Sequence, residues 1–295
     1  MLPKELIAKV RKIEIKTRRI VDEITGGAYH SVFKGRGIEF DEVREYTPED
    51  DVRDIDWNVT ARMGAPYIKK YVEERELTVI LAVDISASGL FGSGEKSKKQ
   101  HAIETAALLA FSAIRNNDKV GLLLFTDKTE LYLSPRSGRT HGLRVIRELM
   151  AAEPKGRGTD INGALEKLMR MLTKKSVIFL ISDLIEDENY ETALKIANKR
   201  HDLISVRILD PLEIKWPETA DLIVEDAENG RISMFGGSGR AACSAYADFS
   251  IDMHRKSADI CKRAKVDMID IRCGEDFIKP FILFFKRRQG KIRGI

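Results

Sequence analysis

Three short segments hold most of the chemistry that this chain of 295 residues could perform. Asp84-Ile85-Ser86-Ala87-Ser88 is a D-x-S-x-S motif. Gly156-Arg157-Gly158-Thr159-Asp160 is a glycine-rich stretch ending on a hydroxyl and an acid, and Ser182-Asp183 pairs the same two groups again. All three offer hard oxygen donors. The carboxylates of Asp84 and Asp183 with the hydroxyls of Ser86, Ser88 and Thr159 suit an octahedral Mg²⁺ or Mn²⁺, not a soft metal. The sequence contains no H-E-x-x-H and no Cys/His cluster of the kind that binds zinc. Two carboxylates bring a divalent cation close to neutrality, and if they act through water the ion stays electron-poor. Such an ion with an open position attracts an external carboxylate. That favours docking over hydrolysis, which generally places carboxylates directly on one or two metals.

Distant segments can share an ion only if the fold brings their ends together. Residues 77–83 form a continuous apolar run of strand length, as expected for a strand covered on both faces of a parallel sheet. Further strand patterns fall at 120–125, 129–133, 176–181, 203–209, 221–224, 232–235 and 267–271. Helical patterns fall at about 98–115, 140–152, 161–172, 189–201 and 243–264. The alternation predicts an α/β domain with a doubly wound, mostly parallel sheet. Ligands of such sheets bind outside the carboxyl ends of the strands, and the three segments fall at strand ends or in the loops beside them.

Residues 1–76 read differently. Leu2, Leu6, Val10, Ile13, Ile20 and Ile24 recur at roughly helical spacing, which predicts an amphipathic helix ended by Gly26-Gly27. Between residues 28 and 76 the turn residues Gly35, Gly37, Pro48, Gly64 and Pro66 separate short runs, a pattern for a small, partly β-structured subdomain. Its acidic cluster (Glu49, Asp50, Asp51, Asp54, Asp56) is expected to pair with Arg44, Arg53 and Arg62, and Trp57 reads as a packing anchor. The predicted division is 1–76, 77–275 and an apolar, then basic tail at 276–295. In that tail Phe281-Ile282-Leu283-Phe284-Phe285 precede Lys286-Arg287-Arg288. The tail is expected to pack on the domain, with peripheral membrane contact as the alternative.

Composition narrows the function classes. Apolar residues make up 43% and charged residues 33%, enough for a sizeable core. The net charge of +4 is too small an excess to mark a nucleic-acid-binding protein, so no nucleic acid is expected. No run of about eighteen apolar residues predicts a membrane span. The start of the chain lacks the apolar segment of a secretory signal, and three cysteines without a C-x-x-C pair read as reduced thiols. Together these predict a cytoplasmic location.

The D-x-S-x-S motif with Thr159 and Asp183 in this strand context resembles a von Willebrand factor A-type domain with a metal-ion-dependent adhesion site. The resemblance covers about residues 77–275 and all five positions match. It implies that Ser86, Ser88 and Thr159 bind the metal directly or through water, that Asp84 and Asp183 act largely through water and hydrogen bonds, and that a partner's Glu or Asp fills the sixth position. Upstream, Gly35-Arg36-Gly37-Ile38-Glu39-Phe40, Arg44-Glu45-Tyr46-Thr47-Pro48 and 50–57, followed by Ala61-Arg62, resemble the prokaryotic domain of unknown function, family 58. Members join such a segment to an A-type domain, often beside MoxR-type AAA+ ATPases in protein maturation. The resemblance therefore implies a non-enzymatic, metal-dependent interaction module whose partner is such an ATPase or its client. The alternative is a Mg²⁺-dependent phosphoester or nucleotide hydrolase. The loop Gly89–Ser97 nearly reads as a P-loop, but Glu95 intervenes where Lys must follow the last Gly. No general base stands apart from the acids given to the metal.

Overall fold

Residues 79–83 are at most 1% exposed, and the strand containing them lies in the middle of the sheet that organises the fold. The computed structural model describes residues 38–48, 50–73, 76–186, 189–214, 222–225, 230, 232–235 and 240–293. The helix expected over 1–24 lies outside them, as does Glu49. The chain divides into two compact units, one spanning Phe33–Glu76 and the other containing Leu77–Ile295.

In the smaller unit β1 (Ile38–Glu45) and β2 (Tyr67–Glu73) pair antiparallel, with a register shift between Phe40 and Glu42. A short helix, α1 (Trp57–Met63), lies between them, capped by the Asp56 carboxylate and closed by Gly64 in the left-handed region at φ 75°. Arg44 and Asp50 form a two-pronged ion pair at 2.6 and 3.0 Å, and Arg53 approaches Asp51 at 3.8 Å. The acidic cluster therefore splits between ion pairing and helix capping. Trp57 corrects the sequence reading: it is the first residue of α1 and is 67% exposed, so it does not anchor packing within this unit.

The larger unit begins with β3 (Thr78–Asp84), followed by α2 (Lys98–Arg115), β4 (Lys119–Phe125), β5 (Thr129–Arg136) and α3 (Arg139–Ala151). Next come α4 (Ile161–Met171), β6 (Val177–Ser182), α5 (Glu191–Arg200), β7 (Asp202–Leu209) and a single turn, α6 (Pro211–Ile214). A hairpin of β8 (Leu222–Glu225) and β9 (Ile232–Phe235) precedes α7 (Arg240–Arg263), β10 (Asp267–Arg272) and α8 (Ile278–Arg293). The main sheet runs β10-β7-β6-β3-β4-β5. All its strands are parallel except β5, which pairs antiparallel with β4 at one edge. The expected mixed α/β architecture with a mostly parallel sheet is observed.

Both faces of the sheet are covered, which is why its strands are apolar throughout rather than alternating. On one face Ile80, Ala82, Leu123, Phe125, Ile178 and Leu180 join Leu165 and Leu168 of α4 and Leu194 of α5 in one core. Helix α2 lies against β3 and its neighbours. Its Ala106, Ala107, Ala110 and Ala113 are wholly buried, so small side chains let this helix come close to the strands. Chain order reverses between β3 and β6: β4 and β5 continue outward on one side, β6, β7 and β10 on the other. A crevice at the carboxyl ends of β3 and β6 is the binding position of such a sheet.

Candidate metal centre

Asp84 is the last residue of β3 and Asp183 directly follows β6, so both acids stand at that crossover. The Ser86 amide donates to Asp84 Oδ1 at 2.9 Å, turning the chain sharply after the strand. The turn puts Ser86 Oγ 3.1 Å from Ser88 Oγ. Thr159 Oγ1 donates to Asp84 Oδ2 at 3.3 Å, and Ser182 Oγ donates to the same oxygen at 2.8 Å. The Ala87 amide donates to the Arg157 carbonyl at 3.0 Å, tying the D-x-S-x-S loop to the loop that bears Thr159.

That second loop is braced from below. The amides of Lys155 and Gly156 donate to one Glu130 oxygen at 3.0 and 2.8 Å, and Thr126 Oγ1 donates to it at 3.0 Å. A Cβ at 156 would lie 1.7 Å from Asp127 Oδ1 and 2.3 Å from Thr126 Oγ1, so any larger residue there requires both side chains to move. Burial pushes the Glu130 carboxyl up, but the Gly156 amide, the Thr126 hydroxyl and the Lys155 amide outweigh it and leave the group below its usual range. On the β6 side, Leu184 adopts a left-handed backbone at φ 58° while its side chain is 1% exposed. Its amide donates to Ser182 Oγ at 3.1 Å and its carbonyl accepts from Tyr190 Oη at 2.9 Å. A bulky residue holds that conformation only where its surroundings enforce it.

Asp84, Ser86, Ser88 and Thr159 therefore meet at the carboxyl end of β3, and Asp183 stands at the end of the neighbouring β6. Neighbouring vertices of an octahedron with metal–oxygen distances near 2.1 Å are about 3 Å apart. The 3.1 Å between the Ser86 and Ser88 hydroxyls is of that size. The donor set is hard, of the kind that suits a small divalent cation. Among the described residues no three His, Cys, Asp or Glu side chains gather to hold a metal. The hydroxyls of Ser86, Ser88 and Thr159 stand with Asp84 instead, and the Asp183 charge acts on Asp84.

Sequence reasoning missed a buried cation at this pocket. Lys98, the first residue of α2, is 3% exposed and donates to Asp183 Oδ2 at 2.8 Å and to Glu213 Oε1 at 2.5 Å. A lysine at a helix N-terminus opposes the helix dipole, and that local mismatch was the signal available in the sequence. Burial works against the ammonium, but Asp183 and then Glu213 more than offset it and hold the Lys98 proton firmly. Burial likewise pushes the Asp183 carboxyl up, yet the Lys98 charge outweighs it and leaves Asp183 below its usual range. Asp84 lacks this help: burial and then the charge of Asp183 push its carboxyl up.

The P-loop look-alike is held by contacts of its own. A Cβ at Gly92 would lie 2.6 Å from Ser97 Cα, so the loop doubles back on the start of α2. The Ser93 amide donates to Asp210 Oδ2 at 2.9 Å, and Lys96 is paired with Glu104 at 2.5 Å. The amide and ammonium that a phosphate would need are already engaged.

Comparison with known proteins places these residues in a wider set. The model of the family described as "Protein of unknown function DUF58" matches residues 42–256. Uncharacterized proteins of Mycobacterium bovis and Mycobacterium tuberculosis are each 28% identical over 296 residues, covering 98% of this chain and 92% of theirs. Among solved structures, the conserved hypothetical protein BatB of Bacteroides thetaiotaomicron is similar at a TM-score of 0.48 and 19% identity, over 73% of this chain and 99% of that one. The SpRpn10 VWA domain is similar at a TM-score of 0.38 and 12% identity, over 70% of this chain and 94% of that one.

Proposed function

The chain belongs to the DUF58 family, and from that premise we propose that it is a non-enzymatic, metal-dependent protein-interaction module. Asp84, Ser86, Ser88, Thr159 and Asp183 would hold a Mg²⁺ or Mn²⁺ ion, which would supply a Lewis-acidic coordination position for a partner's Asp or Glu. The observation that carries this reading is the half-buried Asp84 at the sheet crossover, whose carboxylate accepts from Thr159 and Ser182 with the Ser86–Ser88 hydroxyl pair on the turn beside it, and which burial and the charge of Asp183 push toward protonation. Burying such a carboxylate is costly unless a cation joins it. The partner proposed is a MoxR-type AAA+ ATPase or the client it remodels, an assignment resting on the sequence resemblance of the segment before β3. A hydrolase reading is weakened by the engaged amide of Ser93 and the paired Lys96.

The test is a pulldown of candidate partners with wild type and Asp84→Ala, each with Mg²⁺ and with chelator. Recovery should require both Mg²⁺ and Asp84. A partner recovered equally in all four conditions leaves the metal no part in docking, and Mg²⁺-dependent turnover lost in Asp84→Ala would favour hydrolysis instead.

A further inference from the structure

We infer that Lys98 is a resident counter-ion of this pocket that lowers its affinity for divalent cations, and that Glu213 governs how much of the lysine's charge reaches Asp183. The inference rests on the metal reading above and adds a residue outside the five. The Lys98 ammonium lies between two carboxylates, 2.8 Å from Asp183 Oδ2 and 2.5 Å from Glu213 Oε1, and the residue is 3% exposed. Glu213 is itself fixed. Its Oε2 accepts from the Asp210 amide at 3.1 Å, and its carbonyl accepts from the Ser250 hydroxyl. Asp210, wholly buried, accepts in turn from the amides of Leu212 and Ser93 at 2.9 Å each. The ammonium is therefore a fixed positive charge on one of the two acids that would face an incoming ion.

A fixed cation in a low-dielectric pocket repels a second one, while an anion behind the fixed cation draws its field away. Two substitutions should therefore act in opposite directions. Lys98→Met removes the repelling charge and keeps an unbranched chain, so Mg²⁺ should bind about tenfold more tightly or better. Glu213→Gln leaves the ammonium wholly to Asp183, so Mg²⁺ should bind several-fold more weakly. If the lysine served packing alone, both changes would lower stability and neither would improve affinity.

The experiment is calorimetric titration of the full chain with MgCl₂ and with MnCl₂ at neutral pH, for wild type and both variants, with folding checked by circular dichroism. The expected order of affinity is Lys98→Met, wild type, Glu213→Gln; binding detectable only in Lys98→Met is the extreme form of that result. A Lys98→Met protein that binds no tighter than wild type overturns the inference, while a wild-type signal that Ser86→Ala abolishes keeps the metal reading intact. Silence from all three proteins overturns both. Should Lys98→Met not fold, Glu213→Gln decides: weaker binding supports the inference, and equal or tighter binding ends it.

Discussion

Asp84 carries a cost in the metal-free protein. It is half-buried beside Asp183, and Lys98 contacts only the latter. Asparagine keeps an oxygen for the Ser86 amide, and its two amide hydrogens can donate to the Ser182 and Thr159 hydroxyls, which turn from donors to acceptors, while the charge is shed. Asp84→Asn should therefore raise metal-free stability by about 1 kcal/mol, or about 2–4 °C in melting temperature for a domain of this size. The same variant should lose any melting-temperature gain from Mg²⁺. Differential scanning fluorimetry with and without Mg²⁺ checks both effects, and a metal-free variant less stable than wild type would contradict the account. Ser86→Ala is expected to cost about 1 kcal/mol of metal-free stability through its lost buried hydroxyl contact, and still remove the metal response.

At the scale of elements, the pocket depends on two loops held in register. Gly156→Ala would drive its new methyl into Asp127 and Thr126. We expect a loss of about 1–3 kcal/mol and, because Thr159 is displaced with the loop, a metal affinity at least about tenfold weaker. Urea unfolding and Mg²⁺ titration measure the two effects, and unchanged affinity would show that the loop does not position Thr159. Much of this level was legible from sequence. The run Thr78–Asp84 announced a strand covered on both faces, and the motif after it fell at the strand end where ligands bind. What was not legible came from long-range pairing. Lys98 and Asp183 are 85 residues apart, and Lys98 and Glu213 are 115 apart, so no local pattern joined them. Trp57 misled for the opposite reason: size suggested burial, but its place at the first turn of a short capped helix points it outward.

For the whole molecule, stability should depend on a histidine remote from the pocket. His201, 4% exposed, accepts from the Ser176 amide through Nδ1 at 3.2 Å, which leaves the proton on Nε2. Burial, then the charges of Arg200 and Lys175, hold its protonation below the ordinary 6.5. Because the unfolded chain takes up this proton first, stability is full above about pH 6.5 and declines as pH falls toward the lowered folded value. Urea midpoints should fall between about pH 7 and pH 5.5, and His201→Gln should flatten that slope. The last helix, α8, is held to the sheet by wholly or nearly buried Phe281, Phe284 and Phe285 and by Arg288, which pairs with Asp202 at 2.8 Å and Asp267 at 2.6 Å. Phe281→Ala should cost about 3–5 kcal/mol in urea unfolding. A similar economy governs the loop after β6. Leu184 keeps its unfavourable backbone because its side chain is locked in hydrocarbon and its carbonyl is held by Tyr190. On the proposed metal reading, repacking beneath that leucine would thus be felt as altered grip on the ion before it was felt as unfolding. Selection for heat tolerance and selection for partner strength would then draw on the same few atoms.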